Sequence, residues 1–458
     1  MPEEKRARWI GSAINTYMHS AEYLLAEDAD EYEAQRNVTI KNFVQRVYDI
    51  TGVSVPDPTA SNNRIASNFF HRLNTDRCQY SLGNGISFPV GKGEKDTIKE
   101  KLGKKFDTVL SDAAYYALIH GVSFLFVNGD EYHAFPMTQF LPLFDEDNGT
   151  LRAGIRFWSL EWGKKPVTAV LYEEQGYTKY RTEQGKTGLG RLEEVEPLRS
   201  YKEKVAYSEA DGEEIVGGSN YGVLPIVPVY ACKAKQSTLV GMRGNIDAYD
   251  LIHSGFANDL QDCAQIYWLV GNAMGMDDND VNKLRERLLF QHMAVVDTDN
   301  SSVTPYTQEI PYNARMAALA QIRNSIYENF GGLDVHTISA GATNDHIDAA
   351  YQPVDEEADQ FEYQIIQVVQ QVLKIKGMDE AVPQFKRGRI SNQKEQTEMV
   401  MMVADHLDEE TLLNKVPFIT VDEVSKILEN KDAEAYANMP DMERLKEAMN
   451  YENEVQGT

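Results

Sequence analysis

The amino-acid sequence predicts an α+β protein, because two kinds of pattern succeed one another along its 458 residues. In the first half, short runs of alternating polar and apolar residues lie between turn signals, which is typical of antiparallel strands. In the second half, long segments place their apolar residues three or four apart, which predicts helices. With 42% apolar and 25% charged residues, the chain is long enough for two or three domains with their own cores.

The charge balance argues against ordinary binding to nucleic acid. The chain has 45 Lys and Arg against 71 Asp and Glu, a net charge of −26. A protein that binds a DNA duplex normally carries a basic surface, because neutralising phosphates supplies most of its affinity. This chain therefore either avoids DNA or meets it where adhesion is a disadvantage.

The sequence shows no signal for export or for a membrane span. No run approaches about 18 apolar residues, and the N-terminus lacks the apolar segment of a signal peptide. Cys78, Cys232 and Cys263 are far apart and have no CxxC spacing, which is typical of buried thiols in a reducing compartment.

The first half predicts helices followed by strands. Helical spacing opens the chain within residues 1–60 and returns at 62–78, where "LGNGISF" then reads as a turn and a strand. A further helix is expected at 105–120. Strands follow over 121–144, 151–173 and 178–230, with turn signals such as "EEQG" and "EADG".

The stretch 243–272 predicts one long helix with an apolar stripe and an acidic back. Asp247, Asp250 and Asp262 point away from the stripe, and no Lys or Arg follows Arg243 in this helix. The stripe is formed by residues that include Tyr249, Ile252, Phe256, Leu260 and Cys263.

The remaining elements are mostly helical. A compact insert of about 40 residues separates the first long helix from a second one at 313–330, and a glycine-rich loop follows it. A third long helix is expected from about Asp355 to Ile375, beginning just after Pro353. Shorter helices are predicted over 394–428.

Motifs for catalysis or metal binding are weak. The chain has no phosphate-binding loop, zinc-protease motif or nucleophile elbow. The segment 83–95 is interpreted as a strand between turns and not as a phosphate-binding loop. Residues 297–302 fit a hairpin turn better than a calcium loop. Asp280 is interpreted as a helix cap and not as a cation ligand. His336 and His346, with acidic neighbours, leave a metal site or a general base conceivable, although exposed loop residues are favoured.

One long stretch carries no cation at all. Between Arg323 and Lys374 there is neither Lys nor Arg. Chance in an acidic chain is one explanation. The other is a surface kept free of cations so that a polyanion can pass it.

Six sequence blocks between about residues 60 and 430 share their order with one known family. The blocks are "NNRIASNFFHRLNTDRCQYSLGNGISF" (62–88), "DAAYYALIHGVSFLFV" (112–127), "FPMTQFLPLFDED" (135–147), "YGVLPIVPVY" (221–230), "NIDAYDLIHSGFANDLQD" (245–262), and "FKRGRISNQKEQTEMV" with "LDEETLLNKVPFI" near the end. The chain thereby resembles the portal proteins of tailed bacteriophages, in the group typical of phages of Gram-positive bacteria.

The resemblance implies a portal-like architecture within the α+β class, with an antiparallel wing domain, a two-helix stem, a small α/β clip and a helical crown. The implied parts are the wing (1–240), stem helix 1 (241–271), the clip (272–311), stem helix 2 (312–330), the tunnel loop (331–353), the long wing helix and last wing strand (354–393), and the crown (394–458).

The resemblance also implies function. Subunits of this family form a ring, usually of twelve, at one capsid vertex, and double-stranded DNA passes through its channel. The expected partners are the terminase large subunit, the major capsid and scaffolding proteins, and head-completion or adaptor proteins. The expected location is the virion, after assembly in the bacterial cytoplasm. No cofactor, metal, membrane contact or catalysis is expected.

Site residues follow as hypotheses. The apolar stripe would pack against neighbouring stem helices, and Asp247, Asp250 and Asp262 would face the channel lumen. Carboxylates repeated round a ring form no salt bridges with phosphates, so passing DNA meets no electrostatic energy minimum that would hold it. The expected tunnel-loop residues are Thr343, Asn344, Asp345, His346 and Asp348, and the expected motor-docking residues are Arg285, Glu286 and Arg287.

Two other functions remain open from the sequence. One is an acidic scaffold or adaptor protein that never contacts DNA. The other is a carboxylate-metal nuclease that uses the aspartates near 277–299. Ring formation separates the three hypotheses, because only the portal hypothesis requires a ring.

Overall fold

A computed structural model describes most of the chain in two compact units. The units are residues 1–332 with 356–388, and residues 333–355 with 389–458. The described residues are 3–48, 52–57, 60–89, 96–159, 167–182, 192–208, 212–262, 267–271, 279–280, 282–283, 302–306, 311–335, 343–388, 400–402, 412–413, 427 and 431.

The N-terminal elements of the first unit are three helices and a small hairpin. They are α1 (Glu3–Met18), α2 (Ala21–Glu33), α3 (Val38–Lys41), β1 (Arg46–Tyr48) and β2 (Ser54–Pro56). Ile10 and Ile14 of α1, one helical turn apart, are fully buried in a core shared with the largest sheet.

The next part of the chain contains most of the strands. Its elements are α4 (Phe69–Leu82), β3 (Ile86–Ser87), α5 (Thr97–Leu102), α6 (Phe106–His120), β4 (Val122–Asn128), β5 (Glu131–Pro136), β6 (Phe140–Phe144), β7 (Leu151–Trp158), β8 (Thr168–Glu173), β9 (Gly176–Thr182), β10 (Leu192–Arg199), β11 (Lys202–Ser208), β12 (Gly212–Ser219) and β13 (Ile226–Tyr230). They form a five-stranded sheet in the order β10-β9-β8-β7-β6, a three-stranded sheet β13-β4-β5, and the hairpin β11-β12, and all of these pairs are antiparallel.

The three-stranded sheet separates two cores. Alternate side chains of β4 enter opposite faces, with Leu125 and Val127 in one core and Phe124 and Phe126 in the other. The first core also contains residues of α6 and of the last long helix, and the second contains residues of the five-stranded sheet. Because both faces are covered, the strand is apolar almost throughout.

The remaining elements are two long helices with a paired insert, and a third long helix. They are α7 (Leu239–Asp262), β14 (Tyr267–Gly271), β15 (Ser302–Tyr306), α8 (Tyr312–Phe330), α9 (Asn344–Lys376) and β16 (Gln384–Phe385). β14 pairs antiparallel with β15, which closes the insert between α7 and α8. The two helices run antiparallel, since Asp259 pairs with Arg315 and Ile246 shares a core with Ile326.

The structure confirms α6 and α8 close to their expected bounds and corrects three others. The predicted helix over 243–272 ends at Asp262, and Tyr267–Gly271 is a strand, because its aromatic and β-branched residues favour a pleated sheet. α4 spans Phe69–Leu82 instead of 62–78, because the backbone of Asn63, Ile65 and Ser67 is extended and bonds to side chains of α7.

The third correction concerns Pro353. It lies inside α9, which begins at Asn344, and does not mark the start of the helix. An interior proline costs about 3 kcal/mol. The buried side chains that follow it, Phe361, Ile365 and Val369 among them, offset that cost over a helix of 33 residues.

Candidate functional site: the long-helix pair

The helix α7 begins at a crowded junction with α6. The Ser237 hydroxyl accepts the Leu239 N–H at 3.1 Å and donates to the Ile119 carbonyl. Gly121, which ends α6 with φ +90°, lies against this turn, and a Cβ there would sit 2.7 Å from the backbone of Gln236 and Ser237. Only glycine fits this left-handed and crowded position.

The polar face of α7 binds residues 60–68, which we call the strap. Three side chains four residues apart, which we call the polar seam, accept N–H groups from alternate strap residues: Asp250 from Ser67 at 2.9 Å, Ser254 from Ile65 at 2.9 Å and Asn258 from Asn63 at 2.6 Å. Four helical residues rise about 6 Å and two extended residues span about 6.6 Å, so the two spacings match. The seam belongs to the block 245–262 that carries the family resemblance.

Asp250 is the buried end of the polar seam. Its side chain is completely enclosed, and its second oxygen accepts from the amide of Asn37. Burial raises the pKa of Asp250 above the usual 3.8, and the hydrogen bonds from Asn37 and Ser67 oppose that rise. Among the described residues, polar groups without charge hold this carboxylate.

Asp247 occupies the next turn of the same face. It accepts from the hydroxyls of Tyr32 and Thr39, and it lies 4.0 Å from the Arg243 guanidinium. Burial and the neighbouring carboxylate raise the pKa of Tyr32 to about 12. The prediction that Asp250 faces a channel lumen is therefore wrong, because this carboxylate is enclosed within its own chain. The side chain of Asp247 is partly exposed, and its position at a lumen stays a prediction. The side chain of Asp262 lies outside the described part of the structure.

The apolar stripe of α7 packs partly within the chain. The Tyr249 ring meets Phe69 edge-on at 5.0 Å, and the Phe256 ring lies 5.7 Å from Tyr312 of α8. Tyr249 and Phe256 therefore each have an aromatic partner within their own chain, and because both remain partly exposed, their packing against neighbouring stem helices stays a prediction. Leu260 is 54% exposed, and Cys263 lies outside the described residues.

An open groove of about 410 Å³ runs between α7 and α8. Leu251, Ile252 and Gly255 line one wall, and Ala314 and Ala318 contribute to the other. Arg315 lines it too, and its charge is balanced by the ion pair with Asp259. The groove is therefore apolar and close to electrically neutral, which suits a packed helix better than a charged ligand.

The end of α8 is fixed by a partly buried arginine of α4. The Arg77 guanidinium donates to the Phe330 carbonyl, lies 4.0 Å from the centroid of the Phe330 ring, and is 3.3 Å from the Glu357 carboxylate of α9. Arg77 thus fixes the position of the C-terminal end of α8, from which the chain continues into residues 331–335.

The predicted tunnel-loop residues lie at the start of α9. Asn344 is its first residue, so Asp345, His346 and Asp348 are helical and not part of a loop that extends to 353. Thr343 precedes the helix, and its hydroxyl lies 3.2 Å from His346 Nδ1. Thr343, Asp345, His346 and Asp348 are exposed, whereas the Asn344 side chain, His336 and the predicted docking residues Arg285, Glu286 and Arg287 are outside the described part.

Within the described residues, no group of three or more His, Cys, Asp and Glu is arranged to hold a metal ion. Over the same residues, no helix combines the length and apolarity that crossing a membrane requires.

Sequence reasoning missed the strap and its partners. The available signal was the polar spacing at Asp250, Ser254 and Asn258, which repeats every four residues along one helical face. A search for charged residues finds Asp250 on that face but passes over Ser254 and Asn258. The strap residues they bind lie 183 to 195 positions away in the sequence, so no local pattern connects them.

Comparison with known proteins defines the family. The family model described as "Phage portal protein, SPP1 Gp6-like" matches residues 19–437, and the chain belongs to this family. It is 24% identical over 302 residues to the "Portal protein" of Clostridium phage phiCD119 (strain Clostridium difficile/United States/Govind/2006). That match covers 61% of this chain and 63% of the relative, so it spans less than two thirds of the relative's length.

A solved structure described as "Neck of empty GTA particle computed with C6 symmetry" is also similar. The sequence identity is 12% and the TM-score is 0.38, with 75% of this chain and 88% of that chain covered.

Proposed function

We propose that the chain is the subunit of a closed portal ring of about twelve copies at one capsid vertex. Double-stranded DNA would enter the capsid through the ring during packaging and leave through it during ejection. Membership of the portal family over residues 19–437 supports this proposal. The role is structural, without chemistry of its own.

The observation that carries the proposal is the open face of the α7–α8 pair. A Cβ at Gly241 or Gly244 of α7 would meet no atom within 4 Å, and a glycine inside a helix, such as Gly244, costs about 0.5–1 kcal/mol relative to alanine. Beside the groove, Tyr312 and Met316 of α8 are 55% and 44% exposed. A head-to-tail contact with a second copy would cover this face, and such contacts form a ring when the rotation between copies closes.

Other parts of the ring follow from the same assignment. The α7–α8 pair would form the stem and the insert between them the clip, where Arg285, Glu286 and Arg287 would meet the terminase large subunit. Thr343, Asn344, Asp345, His346 and Asp348 would lie towards DNA, within the cation-free stretch between Arg323 and Lys374. The wing and crown would meet capsid and scaffolding proteins, and head-completion or adaptor proteins would bind after packaging.

The groove offers a direct test of the ring. Ala318→Trp fills the groove without touching the polar seam, so we expect a folded chain that no longer assembles. Ser12→Trp, on an exposed position of α1, is the matched control and should assemble as the wild type does. Sedimentation velocity measures assembly, and circular dichroism measures folding.

Two results would contradict different parts of this proposal. Normal rings from Ala318→Trp would show that the groove is not the contact between subunits. A wild-type chain that stays monomeric with and without scaffolding protein would contradict the ring itself and favour an adaptor role.

A further inference from the structure

A second groove, of about 480 Å³, lies in the first unit along strand β13. Phe144 and Leu151 border it on one side, and residues of α9, among them Lys374, border it on the other. Phe144 and Val223, both on its rim, are 42% and 41% exposed. We call this space the β13 groove.

The β13 groove follows the free edge of a sheet. β13 is the outer strand of the sheet β13-β4-β5. Ile226 and Val227 point into opposite cores, yet both line the groove, so the groove runs along the edge of the strand and not along one face.

The register fixes which backbone groups of β13 face away from the sheet. Val127 of β4 donates to the Pro225 carbonyl at 2.9 Å, and hydrogen-bonded pairs alternate in an antiparallel ladder. Val227 and Val229 therefore bond to β4, while the backbone of Ile226, Pro228 and Tyr230 faces outwards. Pro228 keeps a carbonyl acceptor but has no N–H, so an added strand would find an incomplete ladder.

The charged side chains that line the β13 groove are lysines. Lys235 and Lys374 are exposed, and within the described residues neither forms an ion pair. Lys235 has φ +53°, a left-handed conformation that is uncommon for a side chain of this size, and its ammonium lies 4.5 Å from the centroid of the Tyr230 ring. Its backbone thus places a cation at the groove in a chain of net charge −26.

We propose that the β13 groove binds an extended acidic segment of another protein. Apolar side chains of that segment would fill the groove beside Phe144 and Val223, and its backbone would pair with Ile226 and Tyr230. Carboxylates would reach Lys235 and Lys374, which compensates for the hydrogen bond that Pro228 cannot donate. This binding needs one copy of the chain and does not depend on ring formation.

Fluorescence anisotropy with two labelled peptides tests the proposal. The probe alternates Glu with Val and Leu over eight residues, and its counterpart has Lys in place of Glu. We expect the acidic peptide to bind at least about tenfold more tightly than the basic one, with affinity that falls as salt rises. Lys235→Glu with Lys374→Glu should weaken binding by about tenfold or more, and Val223→Asp should also weaken it.

Lys202→Glu is the matched control, because Lys202 lies 4.0 Å from the ring of Tyr221 but does not line the groove. It should leave the affinity unchanged. Equal binding of both peptides, or binding that survives the double lysine variant, would overturn the proposal. A third result would also overturn it: the wild type binds neither peptide, and the double lysine variant has a different assembly mass from the wild type. The groove would then be a contact between copies of this chain.

Discussion

Asp250 is a carboxylate whose partners are polar but uncharged. Its two oxygens satisfy one backbone N–H and one amide, from Ser67 and Asn37, in a site closed to solvent. Removing an acceptor from buried donors costs more than the net stabilisation of an ordinary hydrogen bond, because the donors are left without water. Asp250 therefore stabilises the fold, and it contributes little to the electrostatic potential at the surface of the chain.

Asp250→Ala is expected to lower the free energy of unfolding by roughly 2–4 kcal/mol, because the buried amide of Asn37 and the part-buried N–H of Ser67 lose their acceptor. Gln261→Ala, at the exposed end of the same helical face, should cost less than about 0.5 kcal/mol. Urea unfolding of both variants measures the difference. Equal small effects would show that the strap does not depend on Asp250.

Asp250→Asn is expected to change how stability depends on pH. The pKa of Asp250 is raised in the folded chain, so between the usual 3.8 and that raised value the folded state binds the proton more tightly. The stability of the wild type relative to Asp250→Asn should thus fall as pH rises through this window and then level off. A difference that stays flat or rises with pH would contradict the burial of this carboxyl.

At the scale of elements, α7 is held from two sides. The polar seam binds the strap on one face, and α8 packs on a face about 140° round the helix, judged from the positions of Ser254 and Asp259 at 100° per residue. The contact with the strap explains why one face of α7 is acidic. The contact with α8 explains part of the apolar stripe, and the rest of the stripe lines the open groove.

Gly121→Ala is expected to destabilise the chain by more than about 2 kcal/mol, since both its φ and its contacts with the turn before α7 exclude a Cβ. Gly149→Ala tests the conformational part alone, because φ there is +66° and no atom lies within 4 Å. Its cost should be about 1 kcal/mol. Thermal unfolding that gives the two variants equal midpoints would contradict the crowded junction.

The sequence predicted the elements whose periodicity is regular and missed those set by distant contacts. α6 and α8 show clean helical spacing, and both lie near their predicted bounds. Tyr267–Gly271 continues that spacing yet pairs with β15, some 35 residues further on, so tertiary pairing decides its structure. The partners of Asp247 and Asp250 were equally hidden, because they lie about 200 residues away in the sequence.

At the scale of the whole molecule, charge and assembly act together. A chain of net charge −26 repels its own copies, so close packing in a ring needs surfaces that carry little charge. The groove between α7 and α8, with Arg315 paired to Asp259, meets that requirement. In the proposed ring, the same excess of acid would keep passing DNA from adhering to the channel wall.

The most direct test of the portal hypothesis is the mass of the assembled wild-type protein. Native mass spectrometry, with negative-stain images of the same sample, reports both the number of copies and the presence of a central hole. The hypothesis predicts closed rings of about twelve subunits with an open channel, formed alone or with scaffolding protein. A compact dimer without a hole under both conditions would contradict it.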